Sequence, residues 1–280
     1  MTDQTMAGRT VLVTGASNGI GAETARVLAA RGATVHVTGR SRDKLRPIAE
    51  AVGTEPLVAD FARLDDVRRL AEQVAERVGS LDVLMNNAGG TFAPSKLTAD
   101  GHEPNFQINH LAPFLLTNLL HPSLAAAGRS LVVNTSSIAN LLGRIVLDDL
   151  DYEHRRAREF AAYGTGKLMN IVFTRGIAER WSGDGIVSVA VHPGPVGSSF
   201  GRDSWLVGLL YRTPLARFAT ISVPDGAAPL IALAERGPVA EVDGRYYSRF
   251  HADGRKSKQA SDRTVIDGLW ERSAALVGLT

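Results

Sequence analysis

The chain has 280 residues, 44% of them apolar, and a net charge of +2 from interspersed signs, which is material for one sizeable core and no basic stripe for a nucleic acid. It contains no cysteine, and its seven histidines show no pairing at metal-ligand spacing, so disulfides, thiol catalysis and the usual zinc sites are excluded. The polar start "MTDQTMAGRT" lacks the apolar run of a signal peptide, and no apolar stretch reaches the ~20 residues that span a bilayer, so a soluble cytoplasmic protein without a membrane partner is expected.

Short β-rich runs alternate with longer helical patterns along the whole chain, the signature of βαβ units around a parallel sheet. The first strand, "TVLVTG" (10–15), runs into "GASNGIG". Glycines at this spacing let the backbone turn tightly and approach a pyrophosphate, while the next helix supplies free N–H groups and the positive end of its dipole. Gly15, Ser17, Asn18, Gly19, Ile20 and Gly21 are therefore the candidate cofactor cradle, against the alternative of an ordinary Gly-rich turn. The second strand, "ATVHVTG" (33–39), ends where an NAD site wants a carboxylate for the ribose 2′-OH. Gly39 stands there, followed by Arg40, whose guanidinium can pair a 2′-phosphate, so NADP(H) is expected over NAD(H).

The third strand, "EPLVADF" (55–61), places Asp60 and Phe61 at its carboxyl end, with Asp60 facing the adenine amino group or serving only as a helix N-cap. "LDDVRRLAEQVAERVG" (64–79) repeats Val67, Leu70, Val74 and Val78 at helical spacing, and Gly79 is expected to close it. The fourth strand, "LDVLMNNAG" (81–89), ends in Asn87, Ala88 and Gly89, at the edge where an open α/β sheet binds its ligand. The fifth, "SLVVNTSS" (130–137), offers the hydroxyls of Ser136 and Ser137. In "AYGTGKLMN" (161–169), Tyr163 and Lys167 share one helical face. A phenol ionises near ~10, and a neighbouring cation favours its phenolate, so the pair is able to move a proton. "GIVSVAVHPG" (185–194) and "GRYYS" (244–248) read as the last strands, with an apolar, irregular segment, 203–224, between them.

Taken together and in this order, "TGASNGIG", "NNAG", "INHLAPFLLT", "VVNTSS", "YGTGK" and "HPG" resemble the short-chain dehydrogenase/reductase family over nearly the whole chain. "DDLDYEH", "VHPGPVGSSFGR" and "LWERSAALVG" look like its retinol dehydrogenase-like branch and the soluble bacterial relatives of that branch. The resemblance implies one Rossmann-type α/β domain over 1–280, a doubly wound parallel sheet of about seven strands with helices on both faces. Its dinucleotide-binding half would cover about 8–140 and its catalytic half about 141–280, with a substrate segment at about 198–224.

The resemblance also implies a tetrad of Asn109, Ser137, Tyr163 and Lys167. Tyr163 would exchange a proton with the carbonyl oxygen and Ser137 would hydrogen-bond that oxygen. Lys167 would also bind the nicotinamide ribose, and the Asn109 carbonyl would hold a water. Pro193, Gly194, Val196 and Ser198 would line the nicotinamide. Pro113, four residues after Asn109, has no N–H to return to that carbonyl, which predicts a break in the helix there. Gly166 departs from the serine the family often carries before its lysine, and the stretch between Ser137 and Tyr163 is longer than in compact members. The membrane relatives of this branch carry an N-terminal anchor, and this chain is read as having none.

The expected function is NADP(H)-dependent interconversion of a carbonyl and an alcohol, on a small to medium apolar or aromatic substrate walled by Phe92, Leu141, Leu142, Phe200, Trp205 and Leu209, against the alternative that these residues form a satellite core or an oligomer contact. A dinucleotide-binding regulator without turnover and a redox-neutral epimerase or dehydratase are the competing readings. Monomer, homodimer and homotetramer all stay open.

Overall fold

The structure, a computed structural model, describes residues 5–94, 96–196 and 220–279. Its strands are β1 (Thr10–Thr14), β2 (Thr34–Gly39), β3 (Leu57–Val58), β4 (Val83–Asn86), β5 (Ser130–Thr135), β6 (Ile186–His192), β7 (Arg245–Ser248) and β8 (His251–Ala252). They form one sheet in the order β3-β2-β1-β4-β5-β6-β7-β8, parallel except for the β7–β8 hairpin. The chain builds outward from β1 in one direction and then, from β4, in the other. That reversal leaves a crevice above the carboxyl ends of β1 and β4.

Alternate side chains of each strand enter different cores. Val11 and Val13 of β1 pack with α1 (Gly19–Ala30) and α2 (Arg42–Val52), while Leu12 faces the core that includes α3 (Leu64–Arg77). The stretch after β4 comprises α4 (Pro104–Phe106), a π-helical segment over Gln107–Leu111 and α5 (Ala112–Leu119), followed by α6 (His121–Ala126). The long α7 (Glu159–Trp181) is buried along most of its length, between the sheet and α9 (Arg263–Leu276). The helix α8 (Val223–Arg236) packs against α1 on the opposite face. Burial on both faces explains why the strands read as continuous apolar runs.

Two expectations are corrected, and one short strand is added to the about seven expected. "EPLVADF" contributes only Leu57 and Val58 to the sheet, because this edge strand has a single neighbour and the chain turns at Asp60, whose Oδ1 accepts from the Ala62 N–H at 3.0 Å. The helix α3 stops at Arg77, and Val78, in extended conformation, caps it ahead of Gly79. β8 is a two-residue strand too short to leave a pattern in the sequence.

The break expected near Pro113 takes the form of the π segment. The Ala112 N–H bonds to the Gln107 carbonyl, five residues back, so the ladder widens around Asn109.

Candidate active site

The turn from β1 into α1 has the shape of a cradle. Gly15 has φ +66°, and a Cβ there would stand 2.7 Å from the Ala88 Cα. A Cβ at Gly21 would stand 2.5 Å from the Gly15 carbonyl oxygen, so the loop closes only with glycine at both places. Asn18, the N-cap of α1, makes no side-chain cap hydrogen bond, and the first turn holds no acidic residue. The N-terminal N–H groups and the dipole are thus available to an anion, and these residues fit the diphosphate of a nicotinamide dinucleotide. At the end of β2, a Cβ on Gly39 would lie 2.1 Å from Ser17 Oγ. The position where an NAD site carries its acid therefore faces the cradle, and the exposed Arg40 follows it.

Thr14, which carried no signal of its own in the sequence, ties this turn to the end of β4. Its Oγ1 accepts from the Asn87 and Ala88 N–H groups at 3.0 and 2.9 Å, and Asn87 Nδ2 donates to the Thr14 carbonyl at 3.0 Å. Asn87 thereby acts as a brace between strands. The Phe61 ring belongs to the core, and its carbonyl accepts from Gln107 Nε2 at 3.1 Å. Gly89 leads on to the tetrad region, since a Cβ there would stand 2.5 Å from Asn109 Oδ1 and 3.0 Å from Lys167 Nζ.

Asn109, Tyr163 and Lys167 are all buried, and Ser137 is half-buried at the end of β5. Lys167 Nζ lies 5.7 Å from the centre of the Tyr163 ring and donates to the Thr135 carbonyl at 3.1 Å. Burial pulls the Lys167 ammonium down to about 8. Asn170 Nδ2 donates to the same carbonyl at 3.0 Å, and Ser136 Oγ donates to the Lys167 carbonyl at 2.7 Å. Ser136 and Thr135 therefore stitch β5 to α7. The next residue faces the other way: Ser137 caps a 3₁₀ turn over Ile138–Leu142, accepting from the Ala139 N–H at 3.2 Å. Of the two serines, Ser137 is the one whose hydroxyl borders the open side.

The extra stretch between Ser137 and Tyr163 leans on α7. Tyr152, at φ +60°, donates its hydroxyl hydrogen to Thr165 Oγ1 at 2.7 Å, and the Arg155 guanidinium stacks 3.8 Å from the centre of its ring. Close packing on this side requires small residues, since a Cβ at Gly164 would stand 2.4 Å from the Ala139 carbonyl oxygen. Beyond β6, Pro193 and Gly194 are buried, and Val196 and Ile20 both press on Gly226 of α8. Burial, with Arg249 adding to it, pulls His192 down to about 4.

Exposed apolar side chains follow Ser137 in its turn, and one lies near Tyr163. Ile138, Leu142 and Phe160 are 46%, 61% and 49% exposed, and the Phe160 ring centre lies 6.0 Å from that of Tyr163. Leu141 belongs to the same exposed turn, and Phe92 folds onto Gly90. Ser198, Phe200, Trp205 and Leu209 lie outside the described residues. Among the described residues no cluster of side chains could hold a metal ion, and no helix is long and apolar enough to cross a membrane.

The profile of the short chain dehydrogenase family matches residues 9–205. Human retinol dehydrogenase 13 is 36% identical over 98% of this chain and 86% of its own length. A protein of Streptomyces sp. (strain C5), provisionally named daunorubicin C-13 ketoreductase DnrU, is 39% identical over 98% of this chain and 94% of its own. The crystal structure of an uncharacterised protein from Mycobacterium paratuberculosis superposes with a TM-score of 0.79 at 33% identity, covering 98% of this chain and 94% of that one.

Proposed function

From the premise that the chain belongs to the short chain dehydrogenase family and is an oxidoreductase of its retinol dehydrogenase-like branch, we propose that it interconverts a carbonyl and an alcohol with NADP(H), Tyr163 serving as general acid and base. The observation that carries this reading is the pairing of a buried Lys167 ammonium with the Tyr163 ring, on a helix bonded to Thr135 and Ser136, the residues just before the half-exposed Ser137. Bound NADPH supplies a hydride to the carbonyl carbon. In reduction, Tyr163 gives its hydroxyl proton to the carbonyl oxygen, and in oxidation it takes that proton back. The Ser137 hydroxyl hydrogen-bonds the same oxygen as charge develops on it. Lys167 favours the phenolate by its charge, so the proton leaves Tyr163 more readily. Arg40 pairs the 2′-phosphate, the feature that favours NADPH over NADH.

The substrate is apolar or aromatic, of small to medium size. Ile138, Leu141 and Leu142, exposed in the turn that follows Ser137, and Phe160, exposed near Tyr163, support this by offering apolar surface. The names of the two relatives point the same way, one to retinol and the other to the C-13 ketone of daunorubicin. The test is NADPH consumption against aldehydes and ketones graded in size and polarity, with Tyr163→Phe alongside. Turnover that vanishes in the variant while NADPH still binds supports the reading. NADPH binding without reduction of any carbonyl counts against it.

A further inference from the structure

Two asparagines on one helical face hold the extended segment that follows β4. Asn109 Oδ1 accepts from the Gly90 N–H at 3.0 Å, and its Nδ2 donates to the Gly90 carbonyl at 2.9 Å. One turn earlier, Asn105 Oδ1 accepts from the Phe92 N–H at 2.9 Å, and its Nδ2 donates to the Phe92 carbonyl at 2.8 Å. Four residues of helix advance about 6 Å and two residues of extended chain about 6.6 Å. The two amides therefore meet alternate residues of the segment as a neighbouring strand would, and they satisfy backbone groups at both positions.

Both asparagines are fully buried, and each is held in turn. Asn105 Nδ2 also donates to Glu103 Oε1 at 2.7 Å, and Glu103 Oε2 accepts from the Phe106 N–H at 2.7 Å. Asn109 Nδ2 also donates to the Asn105 carbonyl at 3.0 Å. The two rungs serve different ends of the segment. The Asn109 rung lies beside Gly89 and Lys167, whereas the Asn105 rung fixes Phe92, whose ring folds back so that a Cβ at Gly90 would stand 3.1 Å from its Cζ.

We propose that Asn105 is a positioning residue for the reaction: by clamping the Phe92 backbone it holds the Phe92 ring as a wall of the substrate site. This rests on the carbonyl reductase reading, in which Phe92 lines the pocket. Among the described residues, removing the Asn105 rung leaves the 89–92 segment held by the Asn109 rung at Gly90, and its far end swings with the ring.

The test is a double-mutant cycle on an apolar ketone, with amide exchange followed at Phe92. Asn105→Ala is expected to raise KM about tenfold, with kcat held within about threefold and NADPH affinity unchanged. Phe92→Ala raises KM in the same way, and the double variant is no worse than Phe92→Ala alone, because both act through one ring. Exchange at the Phe92 N–H accelerates in Asn105→Ala. Asn105→Asp keeps the volume and the acceptor but loses the donor, and it serves if the alanine variant does not fold.

A variant with a lowered melting temperature and an unchanged KM overturns the proposal, as do effects that multiply across the cycle. If the wild type reduces no carbonyl, the reductase reading fails instead. The exchange rate at Phe92 then still decides whether the clamp holds: unchanged exchange in Asn105→Ala overturns it.

Discussion

The carbonyl oxygen of Asn105 occupies the space a side chain on Gly166 would need: a Cβ there would stand 2.8 Å from that oxygen and 3.1 Å from the Asn109 Cβ. The residue before Lys167 is without a side chain where α4 and the π segment cross α7. Gly166→Ser gains at most about 0.5 kcal/mol of helix preference and meets an overpacking cost of about 1–3 kcal/mol. A net loss of stability is expected, read as a lower urea midpoint, with reduced turnover because Asn109 shifts. An unchanged midpoint would show that the two backbones separate freely.

Ser136 and Ser137 are adjacent and do different work. Ser137→Ala is expected to lower kcat/KM by about a hundredfold or more, since it removes the donor proposed to meet the developing charge, and to cost about 0.5 kcal/mol of stability through the long 3.2 Å cap to the Ala139 N–H. Ser136→Ala breaks the 2.7 Å bond to the Lys167 carbonyl, so it should cost about 1 kcal/mol of stability and far less activity. Steady-state kinetics and denaturation on the two variants separate these roles, and a reversed pattern would exchange them.

Burial lowers Lys167 from 10.5 to about 8. Between these values the unfolded chain binds the proton that the folded chain has released, so stability rises with pH across that window, and below it the buried charge opposes folding in full. Lys167→Met is expected to be more stable at neutral pH, by at most about 3 kcal/mol, and to lack the alkaline gain. Turnover behaves oppositely: reduction slows above pH about 8, as Lys167 loses the charge that assists Tyr163. Denaturation midpoints and NADPH consumption measured across pH check both halves.

Arg40 follows Gly39 at the end of β2, beside the Ser17 turn. Arg40→Ala is expected to weaken NADPH binding by about ten- to a hundredfold, the worth of a hydrogen-bonded charge, and to leave NADH binding nearly unchanged. Fluorescence titration of both cofactors decides this, and equal weakening of the two would remove Arg40 from the phosphate.

Much of the fold was legible in the sequence. Apolar runs bounded by glycine marked the strands, helical spacing marked α3, and the glycines of the first turn marked the cradle, because these are local constraints carried by a few consecutive residues. Local patterns failed where a long-range partner decides. The end of α3 and the brevity of β3 depend on what packs beside them, and Thr14 works only because Asn87 and Ala88 arrive from another strand.

By itself the sequence determined the order of elements, the side chains available for proton transfer, and the positions where only glycine lets two backbones approach. The tertiary structure alone decided that Ser136 ties β5 to α7 while Ser137 caps the next turn, that a side chain at Gly166 would meet the Asn105 carbonyl, and that Asn105 and Asn109 form two rungs of one clamp. Those outcomes depend on distances between residues far apart in the chain, and no spacing along the sequence encodes such a distance until the sheet and α7 bring the segments together.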